Sequence, residues 1–490
     1  MRRNGRHIRE QTLDTQKSSV RPANRKIMNK RYCNPLIFIT LFAVVIGSCK
    51  VTQNYQAPDV NTTGLFRDVN TTDTNTIASL PWTQVFTDTI LQRLISEGIG
   101  QNLNLQIALT RIQQAQSYYA QSRAAYYPTL SANAQASASK LSAVQGFGIR
   151  NSATQYQLGA SSSWEANIWG RLGSAKRASL ASLLQTEAAA RAIQTSLVSG
   201  IASYYYNLLS LDSKLAITQQ TVRNWDTTVQ TMRALKDAAI VTGAAVVQSE
   251  ASRYAAEVTI PDIKQSIRET ENALSILLGR APAGIPRTNI DDQSTVDVLK
   301  TGVPAQLMAN RPDVQEAELG FRTAFEQTNV ARTYFYPSLT ITGSGGLSSL
   351  TLGNFFNAGS IFASIAGGLT QPILNGRQNR TRLEVAQSQQ QSALLNFQST
   401  LLTAGQEVSD AISLYQTALD KMTVRANQLT ALGKSVEFTQ ELLRYGSANY
   451  TEVINARQSL LNAQLNRVND RLQQLQAMVD LYRALGGGVK

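Results

Sequence analysis

Among 490 residues, only His7, Cys33 and Cys49 could act as an imidazole base, a thiolate nucleophile or a His/Cys metal ligand. All three stand in the first 49 positions, within or at the end of an N-terminal leader. Once that leader is removed, the chain holds no histidine and no free thiol. Zinc sites of the His/Cys kind, Cys nucleophiles and Ser-His-Asp triads are thereby excluded. No glycine-rich phosphate-binding loop is found, and Asp/Glu pairs on helical segments read as solvated or ion-paired surface groups. The sequence predicts no enzyme, no metal site and no cofactor, so function has to come from shape.

Cys49 carries the one chemical signal. A basic segment at Met28-Asn-Lys-Arg31 runs into 13 mainly apolar residues from Leu36 to Ser48. As a helix this stretch rises only ~20 Å against a hydrocarbon core of ~30 Å, so it reads as an export signal. Residues 1–27 add nothing such a signal needs, and Met28 reads as the start. Ile46-Gly47-Ser48-Cys49 resembles a bacterial lipobox, in which Cys49 becomes a lipid-modified mature N-terminus; an ordinary signal peptide ending at a chance cysteine is the alternative. No other stretch is apolar for 18 residues, so no transmembrane helix is expected. Of the net charge of +13, the ten Lys/Arg of residues 1–48 against Glu10 and Asp14 supply +8, leaving a nearly balanced +5. Without a basic cluster, nucleic acid is not an expected partner.

The elements that must carry the function occur twice, at an interval near 207 residues. Ala124-Ala-Tyr-Tyr-Pro-Thr-Leu130 returns as Thr333-Tyr-Phe-Tyr-Pro-Ser-Leu339, and Ile168-Trp-Gly-Arg-Leu-Gly173 returns loosely as Ile373-Leu-Asn-Gly-Arg377. Each copy reads helix, two strands, very long helix, turn, helix. The strands fall near 129–139 and 155–164, then 338–347 and 361–371. Leu130, Ala132, Ala134, Ala136 and Ala138 alternate with polar residues without a slip, as do Tyr156, Leu158, Ala160 and Trp164. Leu339 and Ile341, then Ile361, Ala363, Ile365 and Leu369, repeat the pattern, which Phe362 blurs. Such segments match transmembrane strands of 9–11 residues, with Tyr126, Tyr127, Trp164, Trp169 and Tyr334-Phe335-Tyr336 placed as interfacial girdles. A soluble sandwich edge is the alternative, but alanine faces would pack a poor core. Four strands cannot close a barrel, and an open edge in lipid costs several kcal/mol for each unpaired group. The chain must oligomerise, with two copies giving 8 strands and three giving 12.

Residues 171–238 and 377–443 contain no proline and read as single helices of ~100 Å. Shorter helices are expected near 101–127, 247–279 (with Pro261 a kink), 311–336 and 449–485, stacking end to end into columns of similar height. In the last, Leu461, Leu465, Val468, Leu472, Leu475, Val479 and Tyr482 make a heptad seam. The expected organisation is therefore a leader (1–48), an irregular segment (49–100), a first repeat (101–280), an equatorial segment (281–310), a second repeat (311–485) and a tail (486–490). The fold class is mainly α with a membrane β-barrel portion.

Asn310-Arg-Pro-Asp-Val-Gln-Glu-Ala-Glu318, followed by Ala331-Arg-Thr-Tyr-Phe-Tyr-Pro-Ser-Leu-Thr340, resembles the second-half signature of TolC-type outer-membrane factors. The nearest branch is the NodT-like lipoprotein channels of resistance-nodulation-division (RND) efflux systems. The resemblance spans residues 49–485. It implies a homotrimer with a 12-stranded outer-membrane β-barrel on a 12-helix periplasmic α-barrel. It also implies passive conduction of small molecules delivered by an inner-membrane RND pump and a periplasmic adaptor. Arg311, Pro312 and Asp313 are its signature, read physically as a helix start with Pro312 in the first turn and Asp313 at the positive dipole end. The periplasmic tips would be the turns near 238–247 and 444–451. Glu452 and Asn455, with Tyr445 in the turn before them, match positions where acidic rings narrow the pore. Three Glu452 carboxylates would attract cations, whereas the Asn455 ring is uncharged; a solvated surface glutamate is the alternative. Ala239 stands where glycine is common, which predicts a blunter first tip. A type I protein-secretion conduit and a periplasmic coiled-coil scaffold lipoprotein are the competing functions. The outer loops are expected near 141–153 and 348–359.

Overall fold

The computed structural model describes residues 51–60, 62, 64–67, 75–140, 152–294, 301–445, 447 and 449–489. The leader, Cys49 and nearly all of the first expected outer loop lie outside the described residues. Helices α1 (Thr89–Gln101) and α2 (Leu103–Ala124) lead into strands β1 (Thr129–Lys140) and β2 (Ser152–Ala166). The 67-residue helix α3 (Arg171–Asp237) follows, and a turn sends the chain back through α4 (Gly243–Glu257) and α5 (Thr259–Leu277). The second copy is α6 (Pro312–Thr333), β3 (Ser338–Ser349), β4 (Ile361–Thr370), the 67-residue α7 (Gln378–Arg444) and α8 (Tyr450–Ala484).

Three expected boundaries change. The segment expected to be irregular up to residue 100 contains α1, whose Leu91, Leu94, Ile95 and Gly98 make a buried helical stripe. Its N-cap is Asp88, whose Oδ1 accepts from the Ile90 and Leu91 amides at 2.7 and 3.3 Å. The Thr/Asn-rich chain before it concealed this stripe. The helix expected over 101–127 begins instead at the cap Asn102 and ends at Ala124, ahead of Pro128. That expected over 247–279 starts earlier, at Gly243, and breaks at Val258. Pro261 then lies in the first turn of α5, where a missing N–H is harmless.

The four strands form one antiparallel sheet in the order β1-β2-β3-β4. The register aligns the apolar positions: Ala134 faces Leu158, Trp164 faces Ile341, and Leu339 and Leu347 face Leu369 and Ile361. Leu130, Leu158, Ile341, Ile365 and Leu369 are exposed on that face, Ile365 by 83%. The opposite face is polar, with Gln155 Nε2 donating to Ser348 Oγ at 3.0 Å and Ser344 hydrogen-bonded to Ser364 at 2.8 Å. Phe362 does not break the apolar set. It occupies the polar face opposite Gly346, which faces Gly159 in turn, and its ring lies over the space a side chain at 159 would take. Among the described residues β1 and β4 keep free edges.

Beneath the sheet, α2, α3, α6 and α7 pack as successive neighbours, and farther down α4/α5, α3, α8 and α7 do the same. The short helices therefore stack in two columns, α5 under α2 and α8 under α6. Both joints are built alike. Asn102 Nδ2 donates to Leu277 O at 2.8 Å, and Arg311 Nη1 donates to Ala484 O at 2.8 Å, so the residue capping each upper helix satisfies the end of the lower one. Gly279 (φ +72°) and Gly486 (φ +91°), 207 positions apart, close the lower helices. A Cβ there would lie 2.3 Å from Gln101 O and 2.4 Å from Asn310 O. The main core gathers around these joints, including Phe86, Leu91, Ile201, Tyr205, Leu274, Met478 and Tyr482. Asp88 Oδ2 ties the equatorial segment, the belt of the protomer, to it, accepting from Tyr205 at 2.8 Å, Thr288 at 2.5 Å and Gln293 at 2.9 Å.

Because Gly486→Ala adds both a left-handed backbone penalty of about 1–2 kcal/mol and a clash with backbone, it should lower the thermal midpoint of the detergent-solubilised protein. Alanine at the open position Gly284 should not. Equal midpoints for the two variants would refute the close-approach account.

Candidate functional site

The apolar face of the sheet ends in aromatic residues at its helix-side border. Tyr126 and Tyr127 precede β1, Trp164 closes β2, and Phe335 and Tyr336 precede β3; all five are exposed. Trp164 Nε1 donates to Tyr126 O at 2.9 Å, and Trp169 Nε1 donates to Pro337 O at 2.7 Å with its ring 5.1 Å from Tyr336. Each indole thus satisfies its polar end while presenting apolar surface, which is what the border between hydrocarbon and water demands.

At the joint between columns the signature residues form one cluster. Arg311 caps α6 in an extended conformation, as a residue before proline must, and Pro312 takes the first helical position. Arg311 as a whole is 5% exposed. Its guanidinium grips Asp313 with two hydrogen bonds of 3.0 and 2.6 Å and lies 2.8 Å from Glu407 Oε2, which meets it off the hydrogen-bond direction. Glu407 also pairs with Arg483 at 3.4 Å. Burial by itself would raise the Asp313 carboxyl, but the Arg311 guanidinium outweighs it and holds the group below the ordinary carboxylate range. Burial raises Glu316, and the Asp313 charge adds to it.

At the far end two helical hairpins meet. The first turn is as sharp as a glycine would make it, correcting the expectation of a blunter tip. Ala239 adopts φ +59°, with Ala239 N–H donating to Lys236 O at 2.9 Å and Ile240 N–H to Leu235 O at 2.8 Å. The second turn carries the matching bond, Ser447 N–H to Leu442 O at 2.9 Å. Met232, Ala245 and Val246 of the first hairpin pack against Leu443 and Val453 of the second, and Trp225 and Ala256 against Ile454. Arg457 stands 5.9 Å over the Trp225 ring, and Tyr450 Oη donates to Gln248 at 3.2 Å. Val453, Ile454 and Ala456 turn inward; Glu452 and Asn455 therefore point out of the hairpin contact, both exposed in the first turns of α8. Tyr445, 82% exposed, projects from the end of α7.

The outer membrane efflux protein family matches residues 94–280 and 303–487, one match for each repeat. The chain belongs to that family. It is an outer-membrane channel serving tripartite efflux. It is 29% identical over 462 residues to the cation efflux system protein CusC of Escherichia coli K12, covering 91% of this chain and 98% of that one. It is 26% identical to the toluene efflux pump outer membrane protein TtgC of Pseudomonas putida, covering 92% and 95%. Among solved structures, the crystal structure of CusC superposes with a TM-score of 0.80 at 26% identity, covering 90% and all of the two chains. The open state of the Neisseria gonorrhoeae MtrE channel gives 0.79 at 25% identity, covering 90% and 99%.

Several residues that build this channel escape sequence reasoning. Trp225, Tyr450 and Arg457 join the hairpins from positions far apart in the chain. The glycine pair 279/486 had a detectable signal, since the repeat interval relates the two.

Arg311→Met removes two hydrogen bonds to Asp313, the bond to the Ala484 carbonyl and the charge facing Glu407, so it should lower the thermal midpoint; an unchanged midpoint would refute the joint. Asp313 titrates lower in the fold than in the unfolded chain. Its contribution is complete above about pH 4 and fades as pH falls further. Asp313→Asn should therefore destabilise at pH 7, with the difference from the parent shrinking as pH falls below about 4; a pH-independent difference would refute the pair.

Proposed function

We propose that three copies of this chain close head to tail, with Cys49 lipid-modified at the membrane surface. The observation that carries this is the agreement of the edges. Strand β1 and helix α2 lie on one side of the protomer, β4 and α7 on the other. Both flanks expose apolar side chains outside any protomer core, Leu103, Ile107 and Tyr118 on α2 and Leu395, Leu402 and Val424 on α7. A heterologous pairing of such flanks closes into a ring and gives every edge N–H and C=O a partner. Two copies would make eight strands, and a barrel of about eight strands is filled by its own side chains. Three make twelve and leave an aqueous lumen, continued downward by twelve helices.

In this reading the protein performs no chemistry on its cargo. A periplasmic adaptor docks at the hairpin end, an inner-membrane RND pump loads the tunnel, and solutes leave down their gradient. Relatives of similar identity are named for cations and for toluene, which supports a cargo choice made by the pump. The signature cluster of Arg311, Pro312 and Asp313 holds the columns together, while Glu452, Asn455 and Tyr445 line the constriction.

Crosslinking in detergent should trap a trimer, and the purified protein should form discrete pores in planar bilayers; a monomer soluble without detergent would overturn the assembly. Glu452→Gln should shift the reversal potential in a salt gradient towards zero as cation preference falls. An unchanged preference would remove Glu452 from the constriction.

A further inference from the structure

One face of α8 has a composition that the family assignment leaves unexplained. Beyond Glu452, the positions Asn455, Gln458, Ser459, Asn462, Asn466 and Asn469 are all exposed. At 100° per residue they fall on one side of the helix. That side holds amides and a hydroxyl, with no charge and no apolar group. The buried residues Val453, Ala456, Leu461, Ala463 and Val468 occupy the other side.

Two contacts orient this face. Arg467 Nη2 donates to Asp291 at 3.0 Å, and Arg471 donates to the Gln293 carbonyl, so their side of α8 is turned towards the equatorial segment. The amide face looks the opposite way. Helix α8 is also not a flank of the protomer, because it packs between α7 and α3. The face is therefore neither covered by the belt nor available at the subunit edge. In a closed ring the belt must lie outside, since inside it would fill the bore.

We propose that this amide face is the part of the periplasmic tunnel wall that α8 supplies, a charge-neutral strip above the Glu452 carboxylates; this rests on the channel reading given above. Side-chain amides hold a layer of bound water. Gln458 Nε2 already donates to Asn462 Oδ1 at 3.2 Å, so the groups also satisfy one another. From Asn455 to Asn469 this strip offers no fixed charge to repel an ion and no apolar or aromatic patch to retain an oily solute. Along this strip nothing selects by charge between Glu452 and Gln473, where Lys421 of α7 donates to the amide at 3.0 Å and brings the next fixed charge.

Apart from Cys49 the mature chain has no cysteine, so single thiols can be placed without background. Asn462→Cys, Asn466→Cys and, on the belt side, Arg467→Cys trimers would be recorded in planar bilayers before and after a cationic methanethiosulfonate reagent. Adding a fixed positive charge to a wall that leads to a carboxylate ring should lower single-channel conductance at 462 and 466 and leave it unchanged at 467. Unreactive asparagine positions, modification without effect, or block from position 467 alone would each overturn the proposal. Asn466→Asp, which nearly preserves side-chain size, should raise cation preference, so the assignment stays testable if the thiol variants assemble poorly. Absence of any pore in the parent protein would sink the channel reading itself, an outcome distinct from pores indifferent to the wall.

Discussion

A sheet in hydrocarbon cannot have an edge. Each N–H and C=O left unpaired in lipid costs several kcal/mol, and this protomer has two such edges, along β1 and β4. Its apolar face compounds the constraint, because Leu130, Ile365 and Leu369 have no protein to cover them. Both demands point to the same solution, a closed wall built from several chains. Helices, loops and belt are arranged so that the flanks below the sheet fall in line with the flanks of the sheet.

Carrying that wall downward requires helical columns of uniform height, and the chain makes two of the four from pieces. The weak points are the joints, where helix ends would expose carbonyls and amides. Duplication solved both in the same way, with a left-handed glycine letting backbone meet backbone and a polar cap reaching across. The two caps differ in chemistry. Asn102 is neutral and needs little support, whereas Arg311 brings a buried charge that Asp313 and Glu407 must balance. The second joint is thus more costly to disturb and more exacting in geometry, which accounts for the Arg-Pro-Asp signature as architecture.

The hairpin end is held by a different kind of interaction. Small apolar clusters around Met232 and Trp225 and single side-chain hydrogen bonds, such as Tyr450 to Gln248 and Arg457 to the Asn224 carbonyl, bring the two turns together. This is thin packing compared with the core at the joints. A conduit needs its rigid part where the membrane and belt must stay sealed.

The strand alternation, the absence of proline from the long helices and the repeat interval are periodic or local signals. Read from the sequence alone they determined a duplicated, strand-bearing chain with long helical rods. The α1 stripe of Leu91, Leu94 and Ile95 was equally periodic but sat behind a Thr/Asn-rich stretch that masked it. The tertiary structure alone decided that Ala239 accepts a left-handed turn, that Phe362 turns to the polar face over Gly159 and Gly346, and that Asn102 and Arg311 do the same work with different chemistry. It also decided which side of α8 looks away from the belt. Periodicity along one element fixes which residues share a face; what that face meets depends on contacts between residues tens to hundreds of positions apart, for which the order of residues along the chain has no local mark.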